Sequence, residues 1–318
     1  MPRSYLSGIV FCLIAALSWG AMFQVMAGAL TRVDPFSFTS LRYLLAGVTF
    51  AFALAMREGW SSLRCKGENL LPAWIFGSAG FAGFNFLMFL GQEMAGESGA
   101  LIASIIAAMM PLLSLLLTWL ITRMRPPTHS IGFILLSITG VAIAITNGHF
   151  ERLVSGYLNL RADGLMFAGV CCWIVYTFGA ASYPKWSALK YTTVSVGLSL
   201  TSMLAVNAIL FTLRIIPVPS ATAIISVAPH LAYMAFVAAC IGVFSWNIGN
   251  KLLTPLNGVL FINLLPVAAF AISALAGHAP TEMQILGAGV TCIAVIGNNV
   301  WMRHGARPRV VEPAACEA

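Results

Sequence analysis

Ten apolar stretches follow one another along this chain, at 7–29, 35–56, 71–91, 98–122, 130–147, 162–182, 190–211, 226–249, 254–276 and 283–302, joined by short polar links. About 20 apolar residues let a helix cross a bilayer, so each stretch reads as one crossing. Nothing is left over for a soluble domain. Only 8% of the 318 residues are charged, against about 25% in an ordinary soluble domain. So few charges cannot make a polar skin, whereas a lipid-facing skin needs almost none. The fold class that follows is an all-α integral membrane protein with ten transmembrane helices. Arg3, the apolar run from Ile9 and Ala27-Gly28-Ala29 meet the loose pattern of a cleaved leader. The run is longer than a leader core, so 7–29 reads as a retained span.

The formal charge of +7 resembles a nucleic-acid signal, but on a membrane protein Lys and Arg commonly set orientation. With the N-terminus inside, the cytoplasmic side carries Arg3, Arg57, Arg64, Lys66, Arg123, Arg125, Lys185, Lys190, Lys251, Arg303, Arg307 and Arg309; the outer side carries Arg32, Arg152, Arg161 and Arg214. Both termini are therefore expected in the cytoplasm of a bacterium, with the chain in its inner membrane. No nucleic-acid partner is expected; the lipid bilayer is.

The two halves repeat their landmarks. Pro111 and Pro266 are 155 residues apart, as are Gly132 and Gly287, and Trp19 and Trp173 are 154 apart. Duplication of a five-span unit, 1–150 and 151–305 with a cytoplasmic tail at 306–318, accounts for this. An odd number of spans per unit forces the second copy in upside down. That is the inverted-repeat plan of secondary transporters, with a site near the midplane between the halves.

The chain resembles the drug/metabolite transporter superfamily, specifically its ten-span EamA-type exporters. The resemblance is carried by Ala15-Ala16-Leu17-Ser18-Trp19-Gly20, Leu41-Arg42-Tyr43-Leu44-Leu45-Ala46-Gly47, Ala168 through Trp173 to Tyr176, Trp246-Asn247, and the proline-centred spans 4 and 9 that run into Gly132 and Gly287. Where that family usually has Gly-Glu after spans 4 and 9, this chain has Arg125-Pro126-Pro127 and Gly277-His278. The resemblance implies a pseudosymmetric bundle that exports small metabolites, amino acids or related amphipathic compounds, by alternating access. It names no substrate.

Several residues are candidates for the site. Arg42 is the one charge well inside a span, at a depth where charge is expensive unless it pairs, snorkels or faces a wet cavity. It reads either as a counter-charge for an anionic cargo or as the partner of Glu93 or Glu97, which also qualify as proton-responsive groups at an outer gate. No Asp or Glu lies mid-span, which disfavours proton-coupled export of cationic drugs. Trp19, Trp173, Trp246 and Tyr176 lie deep and suit the wall of an amphipathic pocket, whereas Trp60, Trp74, Trp119, Trp186 and Trp301 lie near span ends and are expected at the interface. Gln24, Asn85, Asn247, Asn250 and Asn263 are amides expected to be buried, able to fix a zwitterion or to join helices. Pro111 and Pro266 are expected hinges.

Cys12, Cys171, Cys172, Cys240 and Cys292 sit in apolar runs, and no Cys/His spacing suits a metal, so neither cofactor nor metal is expected. Gly96-Glu97-Ser98-Gly99 matches the nucleophile segment of intramembrane serine proteases, but the five histidines all lie at or near span ends, away from a base position. The expectation is a non-enzymatic transporter of a small molecule, monomeric or weakly dimeric, with the proton as candidate coupling ion. A serine hydrolase using Ser98 and a non-transporting scaffold are the alternatives.

Overall fold

The computed structural model describes residues 3–96, 99–108, 110–123, 128–146, 148–151, 160–265 and 281–305. Among these residues the regular structure is helical throughout. The first apolar stretch is two helices, α1 (Arg3–Trp19) and α2 (Met22–Leu30), separated by a turn at Gly20 and Ala21. Helix α3 (Pro35–Glu58) starts on Asp34, whose carboxylate accepts from the amides of Phe36 at 3.0 Å and Ser37 at 2.9 Å. Pro35 fills a first-turn position where no amide donor is needed. Gly59, at φ 85°, ends the helix.

Helices α4 (Leu70–Gly77) and α5 (Phe84–Met94) run together through a π-helical segment, Ser78–Gly83. They are followed by α6 (Gly99–Ala108), α7 (Met110–Thr122), α8 (Thr128–Thr146), α9 (Leu160–Gly179) and α10 (Ala188–Thr212). Next come α11 (Ala221–Ser226) and α12 (Ala228–Ala232), then a second π segment, Tyr233–Val243, leading into α13 (Phe244–Leu253). Helix α14 (Pro255–Val259) continues as a 3-10 segment, Leu260–Leu264, and α15 (Glu282–Gly305) ends the described chain. Six helical runs among the described residues are long and apolar enough to cross a membrane: Ser4–Leu30, Pro35–Glu58, Leu70–Met94, Arg161–Ser182, Ala188–Thr212 and Ala228–Leu253.

The packing is pairwise. Helix α1 lies on α13 and on the π segment before it, and α9 lies on α5 and on the π segment before that one; α3 pairs with α10, and α8 with α15. Glycine permits the closest of these approaches. A Cβ on Gly77 would overlap the backbone carbonyl of Ser195, one on Gly80 the ring of Tyr176, and one on Gly242 the indole of Trp19. The π segments begin at Ser78 and Tyr233, which are 155 positions apart, the separation of Pro111 and Pro266.

Two burial expectations need correction. Gln24 is exposed, because Met22, Met26 and Ala29 turn one face of α2 into the core and Gln24 falls on the opposite face. Trp186 is buried, at 4% exposure, whereas Trp60, Trp74, Trp119 and Trp301 are exposed as expected. Its indole N–H is held by Glu68, with N···O 3.0 Å, so a polar partner draws the ring inward from the interface.

The Gly77 contact is with backbone, which cannot rotate away, while a Cβ on Gly197 meets nothing within 4 Å. Gly77→Ala is therefore expected to destabilise the protein by about 1–3 kcal/mol. Thermal denaturation in detergent checks this, with Gly197→Ala as the comparison that leaves the melting temperature unlowered.

Candidate functional site

The deep aromatics of three helices meet at the centre of the bundle. Trp19 and Trp173 stand edge to face with centroids 5.5 Å apart, Trp246 lies 5.4 Å from Trp19, and Tyr176 lies 5.3 Å from Trp173. Phe81 and Phe84, on and beside the first π segment, close the other side of Trp173 at 6.3 and 5.3 Å. These contacts surround a cavity of about 20 Å³ whose lining includes Trp19, Arg42, Tyr43, Met110, Trp173 and Val243. A single water needs about 10–15 Å³ on such a measure. The centre is therefore occluded, with room for water but not for an organic molecule.

Arg42 is only 2% exposed. Its Nε donates to the carbonyl of Met234 at 2.8 Å, its Nη1 donates to Asn85 Oδ1 at 2.9 Å, and its guanidinium carbon stands 4.7 Å from the ring centroid of Tyr43. The expected ion pair with Glu93 is not formed. Glu93 is exposed at the end of α5, and neutral acceptors hold the cation instead. Asn85 is in turn oriented by donating to the Phe81 carbonyl at 2.9 Å and to the Tyr43 hydroxyl at 3.3 Å.

The second π segment supplies key acceptors. Met234 and Ala238 both lie in it, and Ala238 accepts from Trp19 Nε1 at 2.7 Å. Widened turns of this kind recur at functional sites. In contrast, the indole N–H of Trp173 is buried and has no acceptor among the described residues. Among the described residues the cavity thus presents one cation, held by neutral groups, and one free donor.

One turn beyond this cavity is a polar layer. Asn247 donates to the Tyr176 hydroxyl at 2.6 Å and to Thr192 Oγ1 at 2.7 Å, and Trp246 Nε1 donates to Thr177 Oγ1 at 3.1 Å. Asn250 is buried and donates to the Trp246 carbonyl at 2.9 Å. Sequence reasoning missed three buried amides among the described residues, Asn207, Asn298 and, nearest Glu93 and Glu97 in the sequence, Gln92, which donates to the Phe23 carbonyl at 2.8 Å across α2 and α5. Its position beside Glu93 and near a span end masked it.

Pro111 is buried as the second residue of α7, beside the cavity-lining Met110. Pro266, Glu97, Ser98 and the side chain of Asn263 lie outside the described residues. Among the described residues no group of His, Cys, Asp and Glu could hold a metal ion.

Removing the acceptor under Arg42 should cost more than packing alone. Asn85→Leu is expected to destabilise by about 1.5–3 kcal/mol, because a charged donor is left unsatisfied. Combining it with Arg42→Met should cost less than the two single changes together, and denaturation of the four proteins of that cycle measures the coupling. Additive losses would mean that the pair acts independently.

The sequence of residues 6–146 matches the family described as EamA-like transporters. A Bacillus subtilis (strain 168) protein named "Uncharacterized transporter YrdR" is 35% identical over 300 residues, covering 93% of this chain and 92% of that protein. A second protein of that strain, "Uncharacterized transporter YyaM", is 28% identical over 279 residues, 87% of this chain and 88% of the other. One crystal structure superposes with a TM-score of 0.72 at 19% identity, over 96% of this chain and 99% of that one, and so shares the fold.

Proposed function

This chain belongs to the EamA-like transporter family and is a multi-pass membrane transporter, and from that premise we propose that it exports small carboxylate-bearing or zwitterionic metabolites by alternating access. The observation that carries the cargo class is the central pair of donors. Among the described residues no carboxylate balances the charge of Arg42 and no acceptor meets the N–H of Trp173, which lines the same cavity. A carboxylate accepts from both, and the ring faces of Trp19, Trp173 and Tyr176 offer an apolar body the matching surface. Amino acids and related amphipathic acids have that form.

The bundle is proposed to have ten spans in two inverted five-helix repeats, in the bacterial inner membrane with both termini cytoplasmic. The equal offset of the two π segments and the exchange of partners between α1 with α13 and α9 with α5 support this reading. Two such halves around a pseudo-two-fold axis present one site to either side in turn. Trp19, Arg42, Asn85 and Trp173 hold or orient cargo in this account, with Tyr176, Trp246 and Asn247 forming the layer below. Asn263 stays a candidate ligand, Pro111 and Pro266 are the candidate hinges, and Glu93, at the exposed end of α5, and Glu97 are candidates for proton coupling. Gln24, exposed, is dropped.

An untargeted comparison of the medium around cells with and without the protein identifies the cargo. For that cargo, Arg42→Gln is expected to lower efflux from loaded proteoliposomes by tenfold or more, the effect of losing a charge-assisted contact of about 1.5–3 kcal/mol. The expected result depends on the carboxylate: the amide or ester of the same compound should be moved equally by both proteins. Equal efflux of the acid by both would remove Arg42 from the binding site.

A further inference from the structure

A second cavity, of about 300 Å³, lies end to end with the occluded centre. Its lining includes Thr177, Tyr183, Trp186, Tyr191, Asn247 and Lys251. Thr177 is four residues on from Trp173 along α9, and Asn247 four on from Val243 along the other wall. At 1.5 Å per residue, one turn of about 6 Å separates the two spaces. That turn is filled by Tyr176 and Trp246 and tied by their bonds to Asn247 and Thr177.

This vestibule is a built site. Its rim, the link from Tyr183 to Ser187, is fixed on several sides. Tyr183 donates to the Asn69 carbonyl at 2.7 Å and accepts from the Ala73 amide at 2.9 Å, and its ring packs 4.2 Å from that of Trp186. Burial raises the Tyr183 phenol above its ordinary pKa, so it remains a neutral donor at physiological pH. Lys251 Nζ donates to the Trp186 carbonyl at 2.5 Å. Among the described residues Lys251 has no ion pair, whereas Lys190, on Trp186 at 5.0 Å, faces Glu68 at 3.9 Å. The ammonium of Lys251, an exposed residue, thus keeps two N–H donors and has no carboxylate partner among the described residues. Beside it, Thr254 is held at φ 84°, a strained backbone for a β-branched residue, where α13 meets α14.

Ligand pockets for small organic molecules start at about 300 Å³. The vestibule reaches that size in the conformation in which the centre cannot take an organic molecule. We infer that it is a second binding site, a loading site for aromatic carboxylates, with Tyr183, Trp186 and Tyr191 holding the ring and Lys251 the acid group. The Tyr176, Asn247 and Thr192 cluster is its floor, and passage to the centre requires those hydrogen bonds to open. Loading rests on the transport reading; binding does not.

The test is a titration of the purified full-length protein in nanodiscs with 2-naphthoate, followed by isothermal calorimetry, beside the neutral 2-naphthylmethanol. Saturable binding of the acid is expected, weakened about tenfold by Lys251→Gln and retained in Lys251→Arg, with the alcohol bound equally by all three. Arg64→Gln, an exposed cation on the same face, controls for bulk charge and should change nothing. Retained affinity in Lys251→Gln, or an equal loss in Arg64→Gln, overturns the site. Lys251-dependent binding in a protein that carries no flux would refute transport and leave the site standing; flux without such binding would do the reverse.

Discussion

Arg42 is a cation at full burial whose contacts are a backbone carbonyl and a side-chain amide. Charge within a membrane is tolerated where its donors are met, and an Arg offers five. The two residues that meet it come from different helices, Asn85 on α5 and Met234 in the second π segment, so α3 is tied to both by a single side chain. Tyr43, stacked beside the guanidinium and bonded to Asn85, closes the set. Neutral ligation leaves the charge itself unbalanced. Such a cation, its donors partly met and its charge met by no carboxylate among the described residues, is what the proposed carboxylate cargo would answer.

The π segments make that ligation possible. A regular α-helix in lipid satisfies its own backbone and offers side chains little else. Where the helix widens at Tyr233–Val243, Met234 and Ala238 accept from Arg42 and Trp19, and at Ser78–Gly83 two glycines, Gly80 and Gly83, let Tyr176 and Cys172 of α9 approach closely. Each segment thus receives the first helix of the opposite half in the proposed repeat. The same geometry that closes the aromatic centre is what an exchange between two openings would have to rearrange.

Much of this was legible in the sequence, because the signals were chemical and local. Six of the apolar runs coincide with helical runs of bilayer length among the described residues, and Trp19, Trp173, Trp246 and Tyr176 lie together because each is a large ring deep in a span, where packing is the one way to satisfy it. Other features depended on helix phase, which hydropathy does not carry. The turn at Gly20 and Ala21 rotated Gln24 outward, and no pattern in Ser78–Gly83 distinguishes a π turn from the close packing that its glycines suggest. Trp186 was misread, and the place of Lys251 unforeseen, for a different reason. Near a span end, a tryptophan defaults to the interface and a lysine to an orientation signal, and only the fold reveals that the two line one cavity.

In the proposed cycle one occluded cavity opens to one side at a time across the layer of Tyr176, Asn247 and Trp246. The most direct measurement is the labelling rate of Val243→Cys, in a background without the native cysteines, by a membrane-impermeant maleimide added to either face of oriented vesicles. With Tyr176→Phe, which cuts the bond to Asn247, the rate from the Lys185 and Lys251 face should rise while the rate from the opposite face falls. Rates that stay unchanged, or rise from both faces together, would contradict the account.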